Sequence, residues 1–352
     1  MPDDLHPAPV PPALDCWYLT GPTAAGKTKV GDELALRLNA EIISLDSMAL
    51  YQGLDIGTAK PAPEDRAAVP HHLLDLVPPT EEFSLSQYID VAHAAIAEIR
   101  SRGKEVLFVG GTPLYLKSLL RGVFQGPPAD WDFRKTIEKE LETLPLEALH
   151  QRLQVIDPLL AAKLHPNDKR RIIRGLEVFK LTGQRLSHLQ TQFDEGRPAS
   201  AVKVFVLAWP RDELHRRIDA RVDQMFAAGL VEEVRGLVTR YGTLSRTAVQ
   251  AVGYQEVIEH LEGVGWVKAD AAADPRGVPP GEPAPACVIG CGSLDTPYED
   301  CVARVKARTR QFARRQETWF RSLSECTLIP MQPGVPPPAV AAKIALTATT
   351  RG

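Results

Sequence analysis

Gly21-Pro22-Thr23-Ala24-Ala25-Gly26-Lys27-Thr28 has the glycine-framed spacing G-x-x-x-x-G-K-[ST]. Residues of this kind do one sort of chemistry well. The glycines let backbone amides close around a phosphate at a helix N-terminus, where the helix dipole favours negative charge. Lys27 adds a point charge, and the Thr28 hydroxyl can ligate Mg2+. The octapeptide therefore predicts binding of a di- or triphosphate. It does not say whose phosphate. A diphosphate ester presents nearly the same charge as the β and γ groups of a nucleotide, so a kinase, an NTPase and a transferase with a diphosphate leaving group all fit.

Further groups fall at the ends of apolar runs. Asp46 follows Glu41–Leu45, where in an open α/β sheet a functional carboxylate would stand beside the phosphate loop. The same residue could instead cap a following helix. Gly53 to Pro61 is too glycine-rich for regular structure and suits a loop over the site. Thr112 lies in a turn, Gly110 to Leu116, and could face a reacting centre or cap a helix. His71 and His72 have no Cys, Asp or Glu partner at metal spacing, which favours a structural role.

Two stretches concentrate positive charge. Lys163 to Arg185 carries seven basic residues (Lys163, Lys169, Arg170, Arg171, Arg174, Lys180, Arg185) against Asp168 and Glu177. Arg304 to Arg321 carries seven more (Arg304, Lys306, Arg308, Arg310, Arg314, Arg315, Arg321) against Glu317. Such clustering suggests a polyanion partner; the plainer alternative is two solvated helix faces. Asn167 and Gly183 would bound the first helix, with Ile172, Leu176 and Phe179 as its apolar stripe. Cys301, Val305, Phe312, Trp319 and Leu323 would form the stripe of the second.

The elements that must position these groups alternate. Cys16–Thr20, Glu41–Leu45 and Val106–Val109 read as buried strands, with helical patterns at Lys27–Leu38 and Leu85–Arg100. Trp131 to Gln192 is helical throughout, Val202–Ala208 is one more strand, and Asp212–Tyr241 returns to helix. This predicts an α/β fold: a P-loop NTPase-like parallel sheet core (14–123 and 196–328) with a helical insertion domain (124–195). Residues 1–13 and 331–352 read as loose tails, and the proline-rich stretch within 264–294 as a flexible insertion.

The chain has 352 residues, enough for about two domains of 100–200 residues each. Its 41 basic and 44 acidic residues give a formal charge of −3, and 44% of residues are hydrophobic, which excludes a disordered or collagenous chain. No apolar run approaches the roughly 18 residues of a membrane helix, and the acidic, proline-rich start is not a signal peptide. Five cysteines are too few for a disulfide scaffold, and Cys287/Cys291 lack a second ligand pair for zinc. A reducing cytoplasm is the expected compartment.

Taken in order, the motifs resemble those of the tRNA dimethylallyltransferase (isopentenyltransferase) family, bacterial type. The matching segments are 21–28, Asp46-Ser47-Met48, Asp55 to Pro61, His71 to Asp75, Gly110 to Tyr115, Arg170 to Glu177, Leu214 to Arg221, Ala251 to Glu256 and Thr309 to Phe320. They cover about residues 16–325. The stretch near 264–294 is longer and richer in proline than the family's usual connection, and the zinc-finger extension of eukaryotic members is lacking.

The resemblance implies transfer of a dimethylallyl group from dimethylallyl diphosphate to N6 of adenosine 37 in tRNA, with Mg2+ as cofactor. It implies catalytic roles for Asp46 as general base, Thr112 and Arg217, with residues 21–28 holding the diphosphate. It implies contacts to the tRNA anticodon loop from Asp46, Ser47, Met48, Ala49, Arg170, Arg171, Arg174, Gly253, Tyr254, Arg308, Arg310, Gln311, Arg314 and Arg315. The helical insertion would act as the tRNA clamp, and a monomer is expected. A small-molecule kinase with Arg170 to Arg174 as a lid would leave the second arginine helix unexplained, and an adenylate isopentenyltransferase would need neither the insertion nor that helix. A non-catalytic RNA-binding protein would leave the phosphate loop unexplained.

Overall fold

The structure is a computed structural model that describes residues 11–123, 126–190, 196–263 and 295–349. The first third alternates as β1 (Trp17–Thr20), α1 (Lys27–Leu38), β2 (Ala40–Leu45), α2 (Pro63–Ala68), β3 (His71–His72), α3 (Leu85–Ser101), β4 (Glu105–Gly110) and α4 (Pro113–Arg121). Five helices follow: α5 (Trp131–Glu140), α6 (Leu146–Ile156), α7 (Pro158–Lys163), α8 (Lys169–Thr182) and α9 (Leu186–Leu189). The chain then returns to the sheet with β5 (Lys203–Ala208), continues through α10 (Arg211–Ala227), α11 (Leu230–Tyr241), α12 (Arg246–Val249) and α13 (Tyr254–Gly263), and closes with α14 (Asp295–Ser322), β6 (Thr327–Pro330) and α15 (Pro337–Thr349).

Six parallel strands form one sheet in the order β3-β2-β4-β1-β5-β6. Every residue of β1 and β2 is buried, Glu41 and Ser44 included, which is why these strands show no strict polar–apolar alternation. Register sets Tyr18 beside Phe108, their rings stacked at 5.0 Å, and Leu45 beside Gly110. The ends of β1, β2 and β4 thereby present the phosphate loop, Asp46 and the Gly110–Thr112 turn together.

The described chain divides into two compact units. One comprises Lys117–Gly196 with the described residues before Leu14; the other comprises Leu14–Leu116 and Arg197 onward. The first has its own small core, in which Leu149 and Leu153 of α6 meet Ile172, Ile173 and Leu176 of α8. No strand lies between 126 and 190. Glu177, fully buried in α8, accepts from the Asp130 amide and from the guanidinium groups of Arg134 and Arg174. Burial alone would raise its pKa, but the two arginines hold it below the usual carboxylate range.

Several expectations need correction. β3 and β6 were not visible as strands: one has two residues, and the other pairs with β5 along a single edge. Residues 331–349 are no loose tail. α15 buries Val340, Ala341 and Ile344 in the main core and packs on α1. Its alanine-rich composition hid a real i, i+4 stripe. The helical run Asp212–Tyr241 is two helices, broken at Gly229, whose φ of 97° no helix interior accepts. The cap of α8 is Asp168, which accepts from the Arg171 amide, rather than Asn167; Gly183 ends it as expected.

The stripe of α14 is buried at Cys301, Val305, Ala313, Gln316 and Phe320, and Leu323 just past its end is buried too, whereas Phe312 and Trp319 are only half-buried. The tail 1–10, the proline-rich stretch 264–294 and Cys287/Cys291 lie outside the described residues. Among the described residues, no helix is long and apolar enough to cross a membrane.

Candidate active site

The phosphate loop leaves β1 and enters α1 without a side-chain cap, so the first-turn amides remain open to a ligand. Gly21 has φ 145°, and a β-carbon there would meet the Leu207 carbonyl oxygen at 2.9 Å, so only glycine fits. Two residues downstream of β5 brace the loop. Trp209 Nε1 donates to the Ala25 carbonyl at 2.9 Å, and Arg217 Nε donates to the Ala24 carbonyl at 2.9 Å. The Arg217 guanidinium lies 4.3 Å from the centre of the Trp209 ring.

A cavity of about 550 Å³ opens in front of the loop. Lys27, Thr28, Asp46, Gly111, Arg217 and Arg221 are among the residues that line it. Lys27 Nζ donates to the carbonyls of Gly21 and Pro22 at 3.0 and 2.8 Å. It keeps some surface open to the cavity, yet dense protein around Nζ and the nearby Arg221 charge push its pKa down to about 7, with Asp46 opposing. Arg221, half-buried, also lines the cavity; desolvation by the surrounding protein lowers its pKa and Asp46 again opposes. Lys27, Arg217, Arg221 and the Asp46 carboxylate are thus among the charged groups around the space before the phosphate loop.

Asp46 takes the first of its two expected places, beside the phosphate loop, but caps a turn and not a helix. It lines the cavity, and its Oδ1 accepts from the amides of Met48 and Ala49 at 2.8 and 3.4 Å. The capping bonds form in a turn, since no helix follows. They fix the carboxylate without consuming it. Thr112 stands next door as a tie: its amide donates to the Leu45 carbonyl, and its hydroxyl accepts from the Ser47 amide at 3.1 Å.

The loop after Gly53 covers one side of the cavity through Thr58, Ala59, Lys60 and Pro61. Glu233 of α11 holds it by accepting from the amides of Asp55, Ile56 and Gly57 at 3.1, 2.8 and 3.4 Å. Tyr254 donates to Glu233 Oε1 at 2.5 Å and accepts from the Gly57 amide. Tyr254 is fully buried, and the Gly253 amide is bound to Glu256 Oε2, so this pair supports the loop rather than presenting a surface to RNA. That corrects the expected RNA contact at Gly253 and Tyr254.

The basic helices divide in the same way. On α14, Arg308 pairs with Glu256 at 3.3 Å and Arg310 with Asp219 at 2.6 Å, while Gln311, Arg314 and Arg315 are exposed. On α8, Arg170 and Arg171 are exposed, but Arg174 is bound to Glu177 and to the Pro127 carbonyl. His72 bonds Glu41 at 2.7 Å and His71 the Val69 carbonyl at 2.7 Å, roles internal to the fold. Among the described residues no group of three or more His, Cys, Asp or Glu side chains could hold a metal. Asp32, which lines the cavity near His71, escaped sequence reasoning; burial and nearby acidic residues push its carboxyl up to about 6. Arg221, Glu233 and Gln316 escaped it too. Arg221 and Gln316 each lie inside a motif segment, Leu214 to Arg221 and Thr309 to Phe320, whereas Glu233 carried no sequence signal.

A parallel sheet with a glycine-framed phosphate loop at one strand end and a carboxylate at the next defines a P-loop-type α/β protein acting on a phosphorylated substrate. The profile of the IPP transferase family matches residues 49–323. The tRNA dimethylallyltransferase of Rhodopirellula baltica is 46% identical, over 92% of this chain and 91% of that protein. Among solved structures, the tRNA isopentenylpyrophosphate transferase of Bacillus halodurans is similar with a TM-score of 0.63 at 35% identity, covering 96% of each chain. A eukaryotic dimethylallyltransferase acting on tRNA is similar with a TM-score of 0.69 at 26% identity, covering 95% of this chain and 78% of that one. The chain belongs to the IPP transferase family, whose curated members here are tRNA dimethylallyltransferases.

Proposed function

We propose that this protein transfers a dimethylallyl group from dimethylallyl diphosphate to N6 of adenosine 37 in tRNA, acting as a monomer in the cytoplasm. The observation that carries this is the cavity in which the phosphate loop, Lys27, Arg217 and Arg221 face Asp46. The cations suit a departing diphosphate: charge builds on its bridging oxygen as the allylic C–O bond breaks, and fixed positive groups lower that barrier. Asp46 accepts the proton that N6 loses as the C–N bond forms. An exocyclic amine is a poor nucleophile because its lone pair is delocalised into the ring, and a positioned base contributes about 10²–10⁴-fold.

The acceptor base cannot reach this recess while stacked in an anticodon loop, so it must be turned out of the stack. The exposed arginines of α8 and α14 are suited to the RNA phosphates.

Thr28 and Asp46 give the cavity hard oxygen donors of the type Mg2+ takes, so the residues present fit that ion. When bound, Mg2+ would help neutralise the diphosphate, with Thr28 as its protein ligand. The test is to incubate the protein with bulk tRNA, Mg2+ and dimethylallyl diphosphate and to weigh the nucleosides after digestion. Adenosine gaining one dimethylallyl group supports the proposal. ATP turnover without RNA would support a kinase instead.

A further inference from the structure

The helix that displays Arg314 and Arg315 also sends one polar side chain inward. Gln316 is 4% exposed, yet both ends of its amide are used. Its Oε1 accepts from the Thr23 amide in the phosphate loop at 2.9 Å, and its Nε2 donates to the Gly111 carbonyl at 2.6 Å. Gly111 leads into Thr112, which is bonded in turn to Leu45 and to the Ser47 amide beside Asp46. One side chain therefore connects the loop facing the donor with the turn that is bonded to the segment carrying the base.

The fit is close. A β-carbon at position 111 would lie 2.7 Å from Gln316 Nε2, 3.2 Å from the Gly21 carbonyl oxygen and 3.4 Å from Lys27 Nζ. Packing alone does not call for glutamine, because the positions above and below on the same stripe are Ala313 and Phe320. A buried amide is tolerated only when its bonds are met, and here each end meets a different loop of the site.

We propose that Gln316 is a positioning residue for prenyl transfer, which sets the separation between the phosphate loop and the Gly111–Thr112 turn. The inference rests on the phosphate loop being the donor's diphosphate site. Transfer needs the allylic carbon and N6 within about 3–3.5 Å, and a misplacement near 1 Å costs about 10²-fold.

Two substitutions test it. Gln316→Met keeps the length of the side chain and loses both bonds. It is expected to lower kcat about 10- to 100-fold with unchanged tRNA affinity. Gln316→Glu keeps an acceptor for the Thr23 amide but can donate to the Gly111 carbonyl only when protonated. Burial raises such a carboxyl, so its kcat relative to wild type at the same pH should rise as pH falls from 8 to 6. A purely structural glutamine would show no such trend.

A Gln316→Met protein within about twofold of wild-type kcat overturns the proposal. So does a pH-independent ratio for folded Gln316→Glu, or a loss of tRNA affinity that matches the loss of rate. If Gln316→Met melts below the assay temperature, the pH ratio of Gln316→Glu decides. Lys27→Ala is measured alongside. A wild-type KM for dimethylallyl diphosphate there would refute the donor-site reading, and with it this proposal. A raised KM there with wild-type kinetics in Gln316→Met overturns the positioning role alone.

Discussion

Arg174 Nη1 donates to the fully buried Glu177 Oε2 at 2.5 Å, three residues along the same helix, while its Nη2 reaches the Pro127 carbonyl at 2.8 Å. This guanidinium is spent on the helical unit. Removing one partner of a buried ion pair costs about 3–5 kcal/mol because the other charge is left uncompensated. Arg174 is partly exposed and Arg134 still serves Glu177, so about 1–2 kcal/mol is the expected loss for Arg174→Ala. Thermal unfolding should register it before any assay with RNA does. A wild-type melting temperature together with weakened tRNA binding would restore Arg174 to the RNA surface.

Glu177 predicts a pH dependence of the same unit. Its pKa is lowered in the folded state, so its contribution is present above the unfolded carboxylate value and is lost as pH falls through the folded one. Glu177→Gln should therefore lower stability at pH 7 and remove part of the acid sensitivity below about pH 4.3, the ordinary value for Glu. Urea melts at pH 7 and pH 3.5 measure both. Parallel losses in wild type and variant between the two pH values would contradict it.

How far the chain could be read before its fold was known depends on the range of each interaction. Residues 21–28 were legible because their glycines, Lys27 and Thr28 act within one turn. Asp46 was legible from its place after an apolar run. Gln316 was not: its bond to Thr23 spans 293 positions, and only the completed sheet brings α14 to the phosphate loop. Glu233 is similar, since a glutamate in a helix's first turn looks like a dipole partner until the loop at 55–57 closes on it. Counting arginines found the basic helices but not which of their charges were already neutralised inside the protein, as Arg174 and Arg310 are. The tail helix was missed because alanine-rich, proline-led sequence looks the same whether or not a core awaits it.

Asp46→Asn keeps the shape of the turn, since an amide oxygen can still accept from Met48 and Ala49. What it loses is the base. Turnover should fall about 10²–10⁴-fold with tRNA affinity intact. Single-turnover rates with saturating tRNA isolate the step. Wild-type rates would remove Asp46 from the chemistry.

Lys27 should make donor binding depend on proton uptake. With its pKa near 7 in the free protein, much of it is neutral at pH 8. A bound diphosphate favours the charged form, so binding at pH 8 should take up a substantial fraction of a proton, and at pH 6 very little. Calorimetry in two buffers of different ionisation enthalpy reads that number. Lys27→Arg, charged throughout, supplies the baseline from the diphosphate itself. Equal uptake in wild type and Lys27→Arg would mean that Lys27 is already protonated.

The exposed cations carry the last expectation. Arg171, Arg314 and Arg315 point to solvent, whereas Arg310 is held by Asp219 at 2.6 Å. A cation that neutralises an RNA phosphate releases counterions, so each lost contact flattens the log–log salt dependence of affinity by about one unit. Alanine at Arg314 or Arg315 should do so while leaving the affinity for dimethylallyl diphosphate unchanged. Arg171 pairs only loosely with Asp168 at 3.5 Å, and its loss should behave the same way. Arg310→Ala should instead loosen the packing of α14 on α10 with a smaller change in slope. Titrations with tRNA at four salt concentrations separate the two groups, and identical slopes for wild type and Arg314→Ala would leave α14 as a solvated helix face.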